Sequence, residues 1–231
     1  HGWEQHVILD HENQLVYRYP RNKSASDKLI DEVELLGSLR ELDWPVAIPV
    51  LREHTDEYSV YDLIEGEVLT GDYAAKISAD DMSRIGEDLG KFLAHMHKVD
   101  KHIVKRKRTK QTMTLLEYYE NRINEGRNSE YFLEAQKDLN TLLANRTEDQ
   151  VVVHGDLHGL NIVINPTTRR LAGVIDFSEV EIGDPHQDFR KLFMTDKRLL
   201  EPSLAAYEQV CGRSLSPDMV KLWAYVNEWA N

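Results

Sequence analysis

The stretch His154-Gly155-Asp156-Leu157-His158-Gly159-Leu160-Asn161 packs an acid, an amide and two imidazoles into one glycine-containing segment, and a second acid, Asp176, follows downstream. Carboxylate and amide oxygens are hard donors. One of each suits Mg²⁺, which takes one or two protein oxygens and leaves its other positions to water and phosphate. If residues 161–165 pair antiparallel with 171–176, Asn161 and Asp176 face each other at the open mouth of a hairpin as a metal pair. Asp156, upstream on the same loop, is then available to accept a proton from a substrate hydroxyl. His154 and His158 stand four apart, a spacing that converges on a metal only on a helix, and the glycines argue against one. His154 reads as a packing or loop-bracing residue, and His158 as a neighbour of phosphate or substrate.

The flanking residues supply the elements that must position this chemistry. Val151-Val152-Val153 and Ile162-Val163-Ile164 are short apolar, β-branched runs that predict buried strands, with a loop between them. Leu171 to Phe177 predicts a third strand, ending in Asp176-Phe177. Asn165-Pro166-Thr167-Thr168 offers turn chemistry that closes the last two strands into a hairpin.

Asp156, Asn161 and Asp176 resemble the kinase pattern H-R-D-x-x-x-x-N followed by D-F-G. Gly155 replaces the Arg, and Ser178 replaces the last Gly. The form H-G-D-x-H-x-x-N, with Ile175-Asp176-Phe177, Gly183-Asp184-Pro185 and Asp188, resembles the aminoglycoside phosphotransferase family of small-molecule kinases. The resemblance implies a protein-kinase-like, two-lobed α+β fold. It further implies Asp156 as the base, Asn161 and Asp176 as Mg²⁺ ligands, and ATP or GTP as phosphoryl donor.

In this resemblance, Arg18 of Val16-Tyr17-Arg18-Tyr19-Pro20 stands where relatives carry the phosphate-holding basic residue. Arg keeps its charge and can fork two oxygens. Arg21 and Lys23 are reserves. The partner acid falls on the next helix as Glu32 or Glu34, with Asp31-Glu32-Val33 favouring Glu32. The run Tyr61 to Gly66 marks the crossing between lobes, where the backbone of Asp62, Leu63 and Ile64 would bind the nucleotide base and His158 would approach the phosphates. Gly2-Trp3-Glu4 would be the remnant of a nucleotide-covering loop, although no G-x-G-x-x-G pattern is present.

Along the chain, residues 6–9 and 15–19 predict a hairpin. Ser24 to Asp27 predicts a capped start for a helix through Leu42, which Trp44-Pro45 ends. Val46–Leu51 and Ser59–Ile64 predict two further strands, completing a nucleotide lobe over residues 1–65. Residues 66–231 form the helical lobe. Its first long helix, Ser78 to Lys98, carries Met82, Ile85, Leu89, Phe92, Leu93 and Met96 on one face, with Gly86 and Gly90 permitting close packing. Helices near 114–125 and 129–144 bring Glu117, Glu120 and Glu134 as candidate contacts for a cationic acceptor. Glu179, Glu181 and Asp184 are the stronger candidates, as an acidic mouth to the cleft. Asp188 reads as a cap or brace for the catalytic loop.

The chain has 231 residues, a formal net charge of −12, 41% hydrophobic and 29% charged residues, and one cysteine, Cys211. This balance disfavours nonspecific nucleic-acid binding and suits a cationic substrate. No apolar run is long enough for a membrane span, no secretory leader opens the chain, and a cytoplasmic location is expected. The basic run Lys101 to Lys110 reads as a solvated loop. The start at His1 without Met suggests an excerpt of a longer protein. The expected function is Mg²⁺-dependent transfer of a γ-phosphoryl group to a small-molecule hydroxyl, with an aminoglycoside as first choice. A macrolide, sugar, choline or homoserine kinase, or a poorly active nucleotide-binding regulator, are the alternatives.

Overall fold

The computed structural model describes residues 4–104, 115–125 and 131–230. Two strands, β1 (Gln5–Asp10) and β2 (Leu15–Pro20), form the expected hairpin and lead into helix α1 (Lys23–Leu39). The helix starts earlier than predicted, because Asn22 caps it by accepting from the Ala25 amide at 2.9 Å. It also stops short of Leu42, and the Trp44 indole donates to the terminal Leu39 carbonyl at 2.9 Å. Ala25, Leu29, Glu32, Leu36 and Leu39 form its buried stripe, so an acid occupies a core position on an otherwise apolar face.

Strands β3 (Leu51–His54) and β4 (Ser59–Asp62) complete an antiparallel sheet of order β1-β2-β4-β3. The strand predicted over Val46–Leu51 is displaced to β3. Pro45 and Pro49 lack the N–H groups that a ladder needs. Ala47 instead bridges Gly173, donating to the Ala172 carbonyl at 3.1 Å and accepting from Val174 N–H at 3.0 Å, which stitches this segment to the hairpin expected over residues 161–176.

The rest is mostly helical. After β5 (Glu67–Val68) come α2 (Gly71–Ala74), α3 (Ala79–Met96), α4 (Leu115–Glu125) and α5 (Phe132–Asn145). Strands β6 (Val151–Val153), β7 (Ile162–Ile164), β8 (Leu171–Val174) and β9 (Glu181–Gly183) follow, then α6 (His186–Thr195), α7 (Leu200–Cys211) and α8 (Pro217–Trp229). Ser78 caps α3 as expected, accepting from the Asp81 amide at 3.1 Å. Gly86 and Gly90 lie directly against Pro202 and Ser203 of α7, where a Cβ would not fit.

The main core joins Leu29, Leu36 and Leu39 of α1 to α3, the β7–β8 hairpin and α7, while Tyr119, Ile123, Leu139, Leu142, Trp223 and Val226 form a second core from α4, α5 and α8. This is a two-lobed α+β fold of the kinase type. Among the described residues, no helix is long and apolar enough to cross a membrane. Gly2-Trp3 and residues 105–110 of the basic run lie outside the described residues.

Candidate active site

The loop of residues 154–161 leaves β6, which pairs with β9, and enters β7, which pairs with β8 through Ile162 and Val174. Two features fix its path. Gly155 has a φ of 80°, and a Cβ there would run into the Glu179 carbonyl. His154 is fully buried against Phe177, with ring centroids 4.9 Å apart. Its Nε2–H donates to the Ile175 carbonyl at 3.2 Å, while Nδ1 accepts from the Asp156 amide at 3.3 Å. Burial pushes its pKa down, which keeps the ring neutral in the tautomer this network needs. His154 is therefore a brace.

Asp188, in the first turn of α6, holds the same loop from below. Its Oδ1 accepts from Gly155 N–H at 2.9 Å, and its Oδ2 accepts from His154 N–H at 2.9 Å and from His97 Nε2 at 3.1 Å. The other nitrogen of His97 meets the Tyr207 hydroxyl at 3.0 Å. Burial opposes the charge of Asp188, but His97, His154 and the loop amides outweigh it and hold the carboxyl below the usual range.

Asp156 remains partly open to solvent and gathers three donors. Lys191 of α6 lies 2.9 Å from Oδ1; His158 Nε2 and Asn161 Nδ2 each lie 3.3 Å from Oδ2. Desolvation would raise its pKa, yet His158 and Lys191 dominate and leave the carboxyl strongly depressed, ionised at any physiological pH. An ionised acid at the head of this loop can orient a hydroxyl and take its proton.

On the far side of the hairpin, Asp176 adopts a left-handed φ of 64°, unusual for a residue with a side chain. Its Oδ1 accepts from the Ser178 hydroxyl at 2.8 Å and from Arg18 Nη2 at 3.4 Å. Arg18 projects from β2, with Nη1 2.8 Å from Glu32, Nε donating to Gln5 at 2.6 Å, and the guanidinium 5.6 Å from the Tyr61 ring centroid. Burial works against its charge, but Glu32 and Asp176 raise its pKa overall. Glu32 Oε1 also accepts from Phe177 N–H at 3.0 Å. Residues 18, 32 and 176, taken from three separate segments, thus meet; the sequence suggests the pairing of Arg18 with Glu32 but not the contact of Arg18 with Asp176.

Asn161 and Asp176 also fit a hard cation. Asn161 commits its amide nitrogen to the Asp156 carbonyl at 2.8 Å, which leaves the amide oxygen as the available donor atom. Asp176 keeps Oδ2 without a protein donor among the described residues. No cluster of three or more His, Cys, Asp or Glu side chains able to hold a metal occurs among the described residues. Two oxygen donors suit an ion that brings water and phosphate as its remaining ligands.

A family model described as the phosphotransferase enzyme family matches residues 1–221. The chain belongs to that family. Among solved structures, the apoenzyme of macrolide 2'-phosphotransferase MphH from Brachybacterium faecium superposes with a TM-score of 0.77 at 21% identity, over 99% of this chain and 81% of that one. The streptomycin–ATP–APH(2")-IIa ternary complex gives 0.73 at 20% identity, over 99% and 80%. The GDP complex of wild-type aminoglycoside 2'-phosphotransferase-IIIa gives 0.76 at 19%, over 100% and 82%. At these identities the likeness is one of fold.

Several side chains of this phosphotransferase lie elsewhere than the sequence suggested. Asp184 is a correction: it is buried, with Oδ1 accepting from His186 N–H at 2.9 Å and lying 2.6 Å from His186 Nδ1, and Oδ2 accepting from Thr147 N–H at 3.0 Å. It closes the turn before α6 and faces no cleft. Glu179 is held by Lys28 of α1 at 2.8 Å, and the same ammonium reaches Glu4 at 2.8 Å, so this acid ties α1 to the segment after Asp176. Glu181 is half-buried in β9 opposite Val153. The three acids form no common open cluster. Glu117, Glu120 and Glu134 are exposed on α4 and α5.

At the lobe crossing, the Asp62 amide donates to Val50 at 3.0 Å and the Leu63 amide to Gln14 at 2.8 Å, so neither N–H is available to a nucleotide base. The Asp62 carboxylate is forked by Arg52 at 2.6 and 2.8 Å. The Ile64 amide alone of the three has no acceptor among the described residues. His158 is half-exposed, with Nε2 3.3 Å from Asp156 Oδ2. Lys191 was not anticipated, although Asp188, Lys191 and Thr195 share one helical face by spacing.

Proposed function

We propose that this chain transfers the γ-phosphoryl group of a nucleoside triphosphate, with Mg²⁺, to a hydroxyl of a small molecule, and that the acceptor is a cationic aminoglycoside. The observation that carries this reading is the Asp156 carboxyl held by Lys191, His158 and Asn161, together with the Asp176–Arg18–Glu32 group. Residues 1–65 are the nucleotide lobe in this reading and 66–231 the acceptor lobe. The net charge of −12 and the single cysteine accord with a cationic acceptor and a cytoplasmic setting.

Asp156 orients the acceptor hydroxyl and takes its proton as the oxygen bonds to the γ-phosphorus, while the bond from that phosphorus to the β–γ bridging oxygen breaks and the nucleoside diphosphate leaves. Asn161 and Asp176 hold Mg²⁺, which when bound neutralises phosphate charge. Arg18, kept charged and aimed by Glu32, steadies the phosphate oxygens, and the Ile64 amide serves the base, ATP and GTP being equally admissible there. Positioning and charge stabilisation carry most of such a reaction. A macrolide acceptor is the second reading, favoured by the fold match to a macrolide 2'-phosphotransferase.

The test is phosphate transfer from ATP and from GTP to aminoglycosides, macrolides and small alcohols. Aminoglycoside-dependent turnover that falls about 10²–10⁴-fold in Asp156→Ala is expected. Turnover on macrolides alone replaces the acceptor, and nucleotide binding without turnover on any acceptor overturns the enzymatic reading.

A further inference from the structure

One face of α6 touches the catalytic loop at three successive points. Asp188 accepts from the His154 and Gly155 amides, Lys191 meets Asp156, and Thr195 Oγ1 accepts from Gly159 N–H at 3.1 Å. The spacing 188, 191, 195 is that of neighbours along one helical stripe. Thr195 also donates its hydroxyl to the Lys191 carbonyl at 2.9 Å, fixing the turn that presents the lysine. The two outer contacts anchor the loop through its backbone. The middle one is an ion pair to the side chain assigned as base, and it comes from outside the loop.

A cationic acceptor poses a particular problem for a lone carboxylate at the reacting centre. An ammonium group outcompetes a hydroxyl for it, because both donate a charge-assisted hydrogen bond to the carboxylate and only the ammonium adds the attraction of opposite charges. A polyamine could then dock with an amine on the base and no hydroxyl in line. The Lys191 side chain is 25% exposed and that of Asp156 28%, so both can be reached from solvent.

We propose that Lys191 is a positioning residue that occupies Asp156 Oδ1 and so reserves the base for hydroxyl groups against competing ammonium groups. The remaining oxygen, Oδ2, is bordered by His158 and Asn161, which orient it and leave the hydroxyl as the acceptor-side partner. The inference rests on the reading of Asp156 as the base, but its first test does not require turnover.

Binding of spermidine, a simple polyamine without hydroxyl groups, is measured by calorimetry on the full chain. Removing the pre-existing cation in Lys191→Met should tighten spermidine binding by about tenfold, the size of one modest ion pair. Lys191→Arg should bind as the wild type does, and the double variant Lys191→Met/Asp156→Asn should lose the gain. Unchanged spermidine affinity in a Lys191→Met protein that unfolds at the wild-type temperature overturns the proposal, as does a gain that survives in the double variant. If Lys191→Met fails to fold, Lys191→Gln replaces it, and failure of both assigns Lys191 a structural role and overturns the proposal. With an active acceptor, Lys191→Met should also lower kcat more than it changes the nucleotide KM, with rescue by Arg. Absence of turnover in every protein, including the wild type, counts against the phosphotransfer reading and leaves the binding comparison to decide this one.

Discussion

Two fully buried carboxylates, Glu32 on α1 and Asp188 on α6, are pushed in opposite directions. Burial raises the pKa of Glu32, and Arg18 only partly offsets it, with Asp176 adding repulsion. Asp188 pays the same desolvation penalty yet ends below the usual range. The difference lies in the donors. Both oxygens of Asp188 are satisfied, two of the bonds coming from backbone amides that cannot swing away. Glu32 Oε2 has no partner among the described residues, and its Oε1 depends on one guanidinium and one amide. Burial therefore does not fix the charge of an acid; the rigidity and number of its donors do. Asp188 belongs to the scaffold of the 154–161 loop, whereas Glu32 belongs to a cluster of three charges with Arg18 and Asp176.

The sharpest way to break this contrast is Asp188→Asn. It turns one of the two acceptor oxygens into a donor facing a loop amide and removes the charge, and breaking such a buried charge network should lower unfolding stability by about 3–5 kcal/mol in a denaturant titration. Arg18→Met comes next. It leaves Glu32 buried without its cation, and a loss of about 1–3 kcal/mol is expected, limited because the raised carboxyl can take up a proton. The nucleotide KM should rise in the same variant. Glu32→Gln should be the mildest, about 1 kcal/mol or less, since the amide can still accept from Arg18 and Phe177.

The pH dependence refines the contrast further. A depressed folded pKa makes the Asp188 contribution complete above the unfolded value of about 3.9, and it disappears as pH falls through the lower folded value. The stability gap between wild type and Asp188→Asn should therefore narrow in acid. For Glu32 the sign reverses: its raised folded pKa penalises the folded state as pH rises through it, so Glu32→Gln should gain on the wild type toward alkaline pH. Melting curves across pH for both variants check the two signs, and equal slopes would remove the distinction.

The β7–β8 hairpin and the loop before it were legible because their signals are local. Two apolar β-branched runs, a turn at Asn165 to Thr168 and glycines in the loop allow few other backbones. Asp188 as a loop brace, and Glu32 as the acid for Arg18, were legible for a related reason: each sits at a helix position with a recognisable context. Asp184 misled because an acid in Gly183-Asp184-Pro185 looks the same whether its carboxylate turns to solvent or folds back onto His186 and Thr147. Val46 to Leu51 misled because its β propensity masks Pro45 and Pro49, and Ala47 directs its backbone bonds to Ala172 and Val174 while only the end of the segment, at Val50, bonds to β4.

By itself the sequence determined the strand–loop–strand unit, the order of Asp156, Asn161 and Asp176 along it, and the amphipathic helices around it, since periodicity and turn chemistry act over a few residues. Only the tertiary structure decided which charges meet: Lys191 with Asp156 across 35 residues, and Arg18 with Asp176 across 158. Those pairings depend on how α6 and β2 dock against the hairpin. Docking is set by the packing of whole helices and sheets, and no local stretch of sequence contains it.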